Sequence, residues 1–375
     1  MIDNALRGSL ETVYDGRLER VLQALRGMGP RYYFRLNASG SAREELLESF
    51  RSKDLELGFH EKITDAAFLP VTESSLSREG IAVGADRFAA ESVMQGAHLY
   101  APGVRNCKGL RAGMKASVED RDGVLVGSGI ARQGETAILT YHHGIAVEIF
   151  NSKYRLPALR ETSWYNDGLI HLQSLPAMVT CHVLDPKPGE VIVDLNCSPA
   201  GKMSYLCQLT NNQATVIGFD RNSRKTEKAK EHLERLHCKS YQLIAHDSRY
   251  AHLDYDLKAD KVLVDPPCTG LGVMPKLSLD TTITDVRNLV SYQKQFLRAA
   301  AGLVRKGGTI VYSVCTITGE ECEQMVEFAQ DELDLIEVDA EPMVGIDARR
   351  SNERSQRFDP ELDGIGFFIA KLVKL

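Results

Sequence analysis

Residues 261–272 read KVLVDPPCTGLG, and residues 310–321 read IVYSVCTITGEE. Each is an apolar run that ends at a cysteine, Cys268 in the first and Cys315 in the second. A thiolate can add to carbon 6 of a pyrimidine and turn carbon 5 into an enamine-like nucleophile able to attack a sulfonium methyl group. That is covalent catalysis. A base must then take the carbon-5 proton and the thiolate must leave, which gives a second thiol or a water a role. Asp265 precedes two prolines, which fix φ and remove N–H groups, so the chain leaves the strand in one stiff conformation. Such a turn suits an acid held against a substrate. Taken alone, it suits a structural turn beside a buried cysteine equally well.

A second pattern is a series of acids. Four apolar strands in succession, EVIVD, TVIGFD, YQLIAHD and KVLVD, end in Asp194, Asp220, Asp247 and Asp265. One strand-end Asp reads as a helix cap or a turn residue; four in a row fit a ligand. The first strand runs into DLNCSPAGK, residues 194–202. A Walker A loop is excluded, because Met203 follows Gly201-Lys202 and Asn196 stands where its first glycine belongs. A dinucleotide fingerprint is excluded by the single glycine. What remains is a tight turn, Asn196, Cys197, Ser198, Pro199, Ala200, Gly201 and Lys202, whose amides at a helix start can face a carboxylate. Asp220 is placed for ribose hydroxyls and Asp247 for an adenine amine. Ribose, adenine and a zwitterionic tail together point to S-adenosylmethionine (SAM), without a metal. His142-His143 lacks ligand-spaced partners and reads as a strand-edge pair.

Three stretches must position these residues. Residues 1–75 read as a small α+β subdomain, with the strand RYYFRLNA and a helix opened by a Ser41–Glu44 capping box. Residues 78–155 read as short strands between glycine turns, a compact β-barrel with 10 Lys+Arg against 8 Asp+Glu. It is the one stretch of positive balance in a chain of net charge −6. Residues 160–375 alternate strand and helix, the pattern of an α/β, doubly wound, mostly parallel sheet that binds ligands at its carboxyl edge. With 43% apolar and 26% charged residues, no apolar run of membrane length and no secretory leader, the expectation is a cytoplasmic protein. Cys107, Cys181, Cys207, Cys238 and Cys322 show no disulfide or zinc spacing and read, with the Cys197 thiol, as small buried hydrophobes.

DLNCSPAGK, VIGFD, AHDS, VDPPCTGLGV, VYSVCTIT and RFDPELDGIGFFIAKL, in this order, resemble the motifs of the Sun-domain RNA (cytosine-5) methyltransferases. RYYFRLNASGSAREELLESF is similar to that family's N-terminal subdomain, and residues 78–155 resemble a PUA domain, a small RNA-binding barrel. This arrangement is that of a tRNA-modifying branch. The resemblance implies a Rossmann-like SAM-dependent methyltransferase sheet with an inserted PUA barrel. It implies Cys315 as nucleophile on carbon 6, Cys268 as assistant in release, and Asp265 on the cytosine N3 and exocyclic amine. Lys202 would stand near the cofactor tail and the base. The sequence departs from the family's pattern at Asn196, Ala200 and Val314.

The implied partner is tRNA. Its acceptor stem and CCA end would lie on the barrel, and its cytosine 72 would be the target. Tyr100 would offer a stacking face, and Lys108, Arg111 and Lys115 phosphate contacts; each basic residue also reads as a solvated surface charge. The same chemistry on ribosomal RNA, and an RNA-binding protein without catalysis, are the competing readings. A monomer is the default expectation.

Overall fold

The computed structural model describes residues 2–347 and 354–375. Its largest sheet contains β1 (Val191–Asp194), β2 (Thr215–Asp220), β3 (Tyr241–Ala245), β4 (Ala259–Val264) and β5 (Val304–Val314). It is completed by β6 (Leu335–Val338), β7 (Ile346–Asp347), β8 (Gln356–Phe358) and β9 (Phe367–Lys374). The order is β3-β2-β1-β4-β5-β9-β8-β7, with β6 also paired to β9. Strands β3, β2, β1, β4 and β5 are parallel, and β9 returns antiparallel to β5. The chain winds outward from β1 to β3, then crosses back to start β4. The crevice between the β1 and β4 carboxyl ends is therefore the topological switch point, where such sheets bind ligands.

The strands are apolar on both faces because helices cover both. Val262 and Val264 face one cluster with Phe296 and Leu297 of the helix Ile283–Leu303. Leu263, between them, faces the other cluster with Met203 and Leu206 of the helix Gly201–Leu209. The long helix starts at a capping box, in which Thr282 and Asp285 satisfy each other's backbone N–H groups.

The N-terminal layer is a four-stranded antiparallel sheet in the order Ile170–His171, Arg31–Leu36, Ala66–Pro70, Gly58–Phe59. Its core stacks Phe34 on Phe50 at 5.7 Å and Phe50 on Trp164 at 3.9 Å. Trp164 and Ile170 come from beyond the barrel, from the opening of the stretch read as catalytic. The chain thus leaves this layer, builds the barrel and returns to it. The expected Ser41–Glu44 capping box is absent. The helix begins at Gly40 with Ser39 at its cap, so Ser41 already lies in the first turn.

The barrel sheet has six strands, in the order Leu99–Tyr100, Ile145–Ser152, Leu125–Ala131, Lys115–Glu119, Ile81–Ala85, Val104–Asn106. Two stretches expected as strands are helices. In Arg87–Met94 the buried residues Ala90, Val93 and Met94 follow the helical period, and the Asp86 carboxylate caps the first turn. Glu135–Tyr141 is the other, so His142 is a left-handed helix cap rather than a strand-edge residue. Among the described residues, no helix is long and apolar enough to cross a membrane.

Candidate active site

Adjacent parallel strands β4 and β5 deliver the two thiols to one point: Cys268 Sγ lies 3.4 Å from Cys315 Sγ. They are half-buried, whereas the other six cysteines are buried. The loops are locked together through backbone. Gly272 N–H donates to the Cys315 carbonyl at 3.1 Å, and Gly366 N–H donates to the Gly272 carbonyl at 2.8 Å. A Cβ on Gly272 would sit 1.9 Å from the Gly366 carbonyl oxygen, so only glycine permits this approach.

Behind the thiols lies a carboxylate that the sequence reading missed. Glu321 is fully buried. One oxygen accepts from Thr269 N–H (2.9 Å) and Gln293 Nε2 (3.0 Å). The other accepts from the Thr269, Thr316 and Thr318 hydroxyls at 2.6, 3.1 and 2.9 Å. Thr269 follows Cys268 and Thr316 follows Cys315, so one side chain ties both sulfur-bearing loops. Three threonines near a glutamate were the available signal, but two of them lie in a loop remote from the third in sequence.

In front, Asp265 accepts from Lys202 Nζ at 2.6 Å and from Ser313 Oγ at 2.9 Å. Lys202 is largely buried; burial alone would lower its pKa, and Asp265 outweighs that and raises it. The Cys315 thiol is lowered from its ordinary value, first by the Cys268 hydrogen bond and also by the Lys202 cation; burial and Asp265 oppose this. Cys268 is raised well above the ordinary value, first by that same bond to Cys315, then by burial and by the nearby Glu321. The two thiols are shifted in opposite directions, so the thiolate form is favoured at Cys315 relative to Cys268.

A test follows for the pH dependence of alkylation at Cys315, read by iodoacetamide labelling and peptide mass spectrometry. The thiolate fraction grows as pH rises through its pKa, so the rate limb of the intact protein should lie below that of an ordinary thiol. Cys268→Ala removes the donor that lowers it, and the limb should move to higher pH. An unmoved limb would reject the assignment.

The acids stand at the strand ends. Asp194 is buried at 2% exposure, accepts from Asn196 N–H (3.1 Å), and is pushed by burial up to about 7. Asp220 accepts from Asn222 N–H at 2.9 Å at the tip of β2. Asp247, just beyond β3, is gripped by Arg249 through both oxygens, at 2.9 and 2.5 Å, which lowers its pKa. A carboxylate offers about four lone-pair sites, so it can still accept another donor.

In the 196–202 turn, Asn196 Oδ1 and Ser198 Oγ are buried without a partner. The first helical amides, at Gly201 and Lys202, have no carbonyl one turn back to bond. Unmet polar groups of this kind fit a zwitterionic amino-acid tail. Cys197 faces away: its N–H donates to the Phe219 carbonyl, and its sulfur packs where a Cβ on Gly218 would be. Ala200 adopts φ 72°, a left-handed conformation that costs a non-glycine residue about 1–2 kcal/mol. Among the described residues, no group of three His, Cys, Asp or Glu is placed to hold a metal.

The barrel residues expected to meet RNA lie on its surface. Tyr100 is 54% exposed, so it is not a core aromatic. Lys108 and Arg111 are exposed, and Lys115 is ion-paired to Glu79 at 2.7 Å. The barrel also exposes Phe88, Tyr141 and Phe150, which the sequence reading did not single out.

The sheet order and the paired thiols at its carboxyl edge define a Rossmann-like methyltransferase. A family model described as 16S rRNA methyltransferase RsmB/F matches residues 181–373, and a PUA-domain model matches residues 81–151. The chain belongs to the RsmB/F methyltransferase family and carries a PUA domain. It is 35% identical over 366 residues to a tRNA (cytosine(72)-C(5))-methyltransferase of Pyrococcus horikoshii, covering 95% of this chain and 92% of that one. The tRNA (cytosine(72)-C(5))-methyltransferase NSUN6 of Homo sapiens is 27% identical over 396 residues, covering 88% and 84%. A crystal structure of NSun6 from Pyrococcus horikoshii with SFG superposes with a TM-score of 0.89 at 33% identity, covering 100% of this chain and 98% of that one.

Proposed function

We propose that the protein is a SAM-dependent tRNA (cytosine-5) methyltransferase that acts on cytosine 72, as its relatives are named. The observation that carries the chemistry is the pair of sulfurs 3.4 Å apart beside the Lys202–Asp265 ion pair. Asn196, Ser198, Gly201, Lys202, Asp220 and Asp247 are the residues that would hold SAM, which supplies an electrophilic methyl group when bound. The relative's structure was solved with SFG, a SAM analogue, which supports the use of SAM.

Asp265, ion-paired to Lys202, accepts from the cytosine exocyclic amine, lies beside N3 and orients the ring. Cys315 adds to carbon 6, so that its S–C bond forms as electron density moves to carbon 5. Once that sulfur is bonded to carbon it no longer raises Cys268, whose largest perturbation was the bond to Cys315. Cys268, after releasing its own proton to solvent, then becomes able to take the carbon-5 proton, directly or through water, as the S–C bond breaks.

The PUA barrel would hold the acceptor stem and CCA end, with Tyr100 stacking and Lys108, Arg111 and Lys115 near phosphates. A target near a fraying helix end lowers the cost of unstacking, a few kcal/mol for a paired base. The protein would work as a monomer in the cytoplasm. A second reading, ribosomal RNA, is favoured by the family model's own description.

Methyl-labelled SAM with tRNA and ribosomal RNA fragments, followed by mapping of 5-methylcytosine, separates the two. Label at cytosine 72 is expected; label in ribosomal fragments alone supports the second reading, and label in an exocyclic amine rejects both. Asp220→Ala should weaken SAM binding by roughly tenfold or more, the worth of one or two lost hydrogen bonds to a ribose. Calorimetry checks this, and unchanged affinity removes Asp220 from the site.

A further inference from the structure

The two sulfurs are held in different ways. Cys315 follows directly on Val314, the last residue of β5, so the sheet itself places it. Cys268 lies beyond Val264, the end of β4, in a loop without regular structure. Side chains must fix it instead. Both of its neighbours in sequence are anchored, and both anchors lead to Glu321. Thr269 donates to that carboxylate twice, through its N–H at 2.9 Å and its hydroxyl at 2.6 Å. On the other side, the Pro267 carbonyl accepts from Gln293 Nε2 at 3.1 Å, and the same nitrogen donates to Glu321 at 3.0 Å.

These anchors are rigid. Gln293 and Glu321 are fully buried. Both partners of Gln293 Nε2 only accept, so its NH2 group faces them and each hydrogen has a partner. The Tyr312 hydroxyl lies 3.1 Å from Gln293 Oε1 and 2.8 Å from the Glu321 backbone carbonyl, which steadies both residues. The Thr316 and Thr318 hydroxyls complete a set of neutral donors around the carboxylate. A buried carboxylate costs desolvation that an apolar side chain of similar volume would not. What it adds is direction, because donors from the Cys268 loop, the long helix and the Cys315 loop converge on one side chain.

We propose that Glu321 is a positioning residue for the release step: by anchoring Thr269 and, through Gln293, Pro267, it holds the Cys268 sulfur where the carbon-5 proton is taken. The inference rests on the methyltransferase reading above, with Cys268 acting in release.

The test uses the full-length protein with SAM and bulk tRNA, scored for turnover and for protein–RNA adduct on denaturing gels. Cys268→Ala is the reference for blocked release. Glu321→Ala removes the anchor, and its kcat should fall roughly tenfold or more, since a misplacement of about 1 Å can cost about 10²-fold. Methyl transfer comes before release, so KM for RNA should fall with kcat and kcat/KM should stay near wild type. Adduct should accumulate as turnover drops, with SAM affinity unchanged. A purely structural role would lower adduct and turnover together.

Glu321→Gln should rescue release. Its amide oxygen can accept from Thr269 N–H and Gln293, and its NH2 can donate to the threonine hydroxyls, which rotate to accept. Cys268 is raised first by its bond to Cys315, then by burial, and also by Glu321, so losing the charge favours the thiolate that takes the proton. Thr269→Val keeps the shape, removes one anchor and should trap adduct to a lesser degree; it carries the test should Glu321→Ala fail to fold. Product release like the wild type, adduct and turnover lost together, or a glutamine variant no better than alanine overturns the clamp. In each case adduct with Cys268→Ala leaves the release role of Cys268 standing. No adduct with Cys268→Ala, beside a wild type that methylates, overturns that role itself.

Discussion

Cys315→Ala is expected to abolish methylation, with kcat lowered by roughly 10³-fold or more, the scale seen when a covalent nucleophile is deleted. The sulfur is half-buried at the end of β5, and its backbone carbonyl, not its side chain, makes the lock with Gly272. Alanine preserves that lock, so SAM affinity and thermal stability should stay near wild type while turnover disappears. Labelled SAM and bulk tRNA report turnover, and calorimetry reports binding. Turnover within tenfold of wild type would remove Cys315 from the chemistry. It would also leave the lowered thiol without a purpose.

Cys268→Ala should behave in the opposite way. Addition to carbon 6 and methylation need Cys315, but release needs a group that takes the carbon-5 proton. Without Cys268 the S–C bond should persist, and a protein–RNA adduct should survive a denaturing gel in the presence of SAM. Most of the enzyme should be trapped after one turnover. No adduct with Cys268→Ala, together with normal turnover by Cys315→Ala, would reverse the two roles. The 3.4 Å separation is what couples the predictions, because either sulfur alone sets the other's protonation.

Much of the catalytic unit was legible in the chain. Strands buried on both faces are apolar throughout, and a parallel sheet must end them at one edge, so KVLVDPPC and IVYSVC place both thiols at that edge. The reading of residues 78–155 was poorer. Arg87–Met94 and Glu135–Tyr141 are short helices whose apolar residues sit amid glycine-rich strands, and a window of eight residues does not separate the two periods.

The order of residue types along the chain was enough to determine the parallel sheet, the acids at its strand ends, the Asp-Pro-Pro turn and which two of eight cysteines stand at the ends of adjacent strands. These are properties of local pattern, and local pattern is written in neighbouring residues. Only the tertiary structure decided that Glu321 ties both sulfur loops, that Lys202 pairs with Asp265, and that Trp164 returns to the N-terminal core. Each joins segments far apart in the chain. Such meetings depend on how whole layers pack, a quantity that no stretch of residues carries by itself.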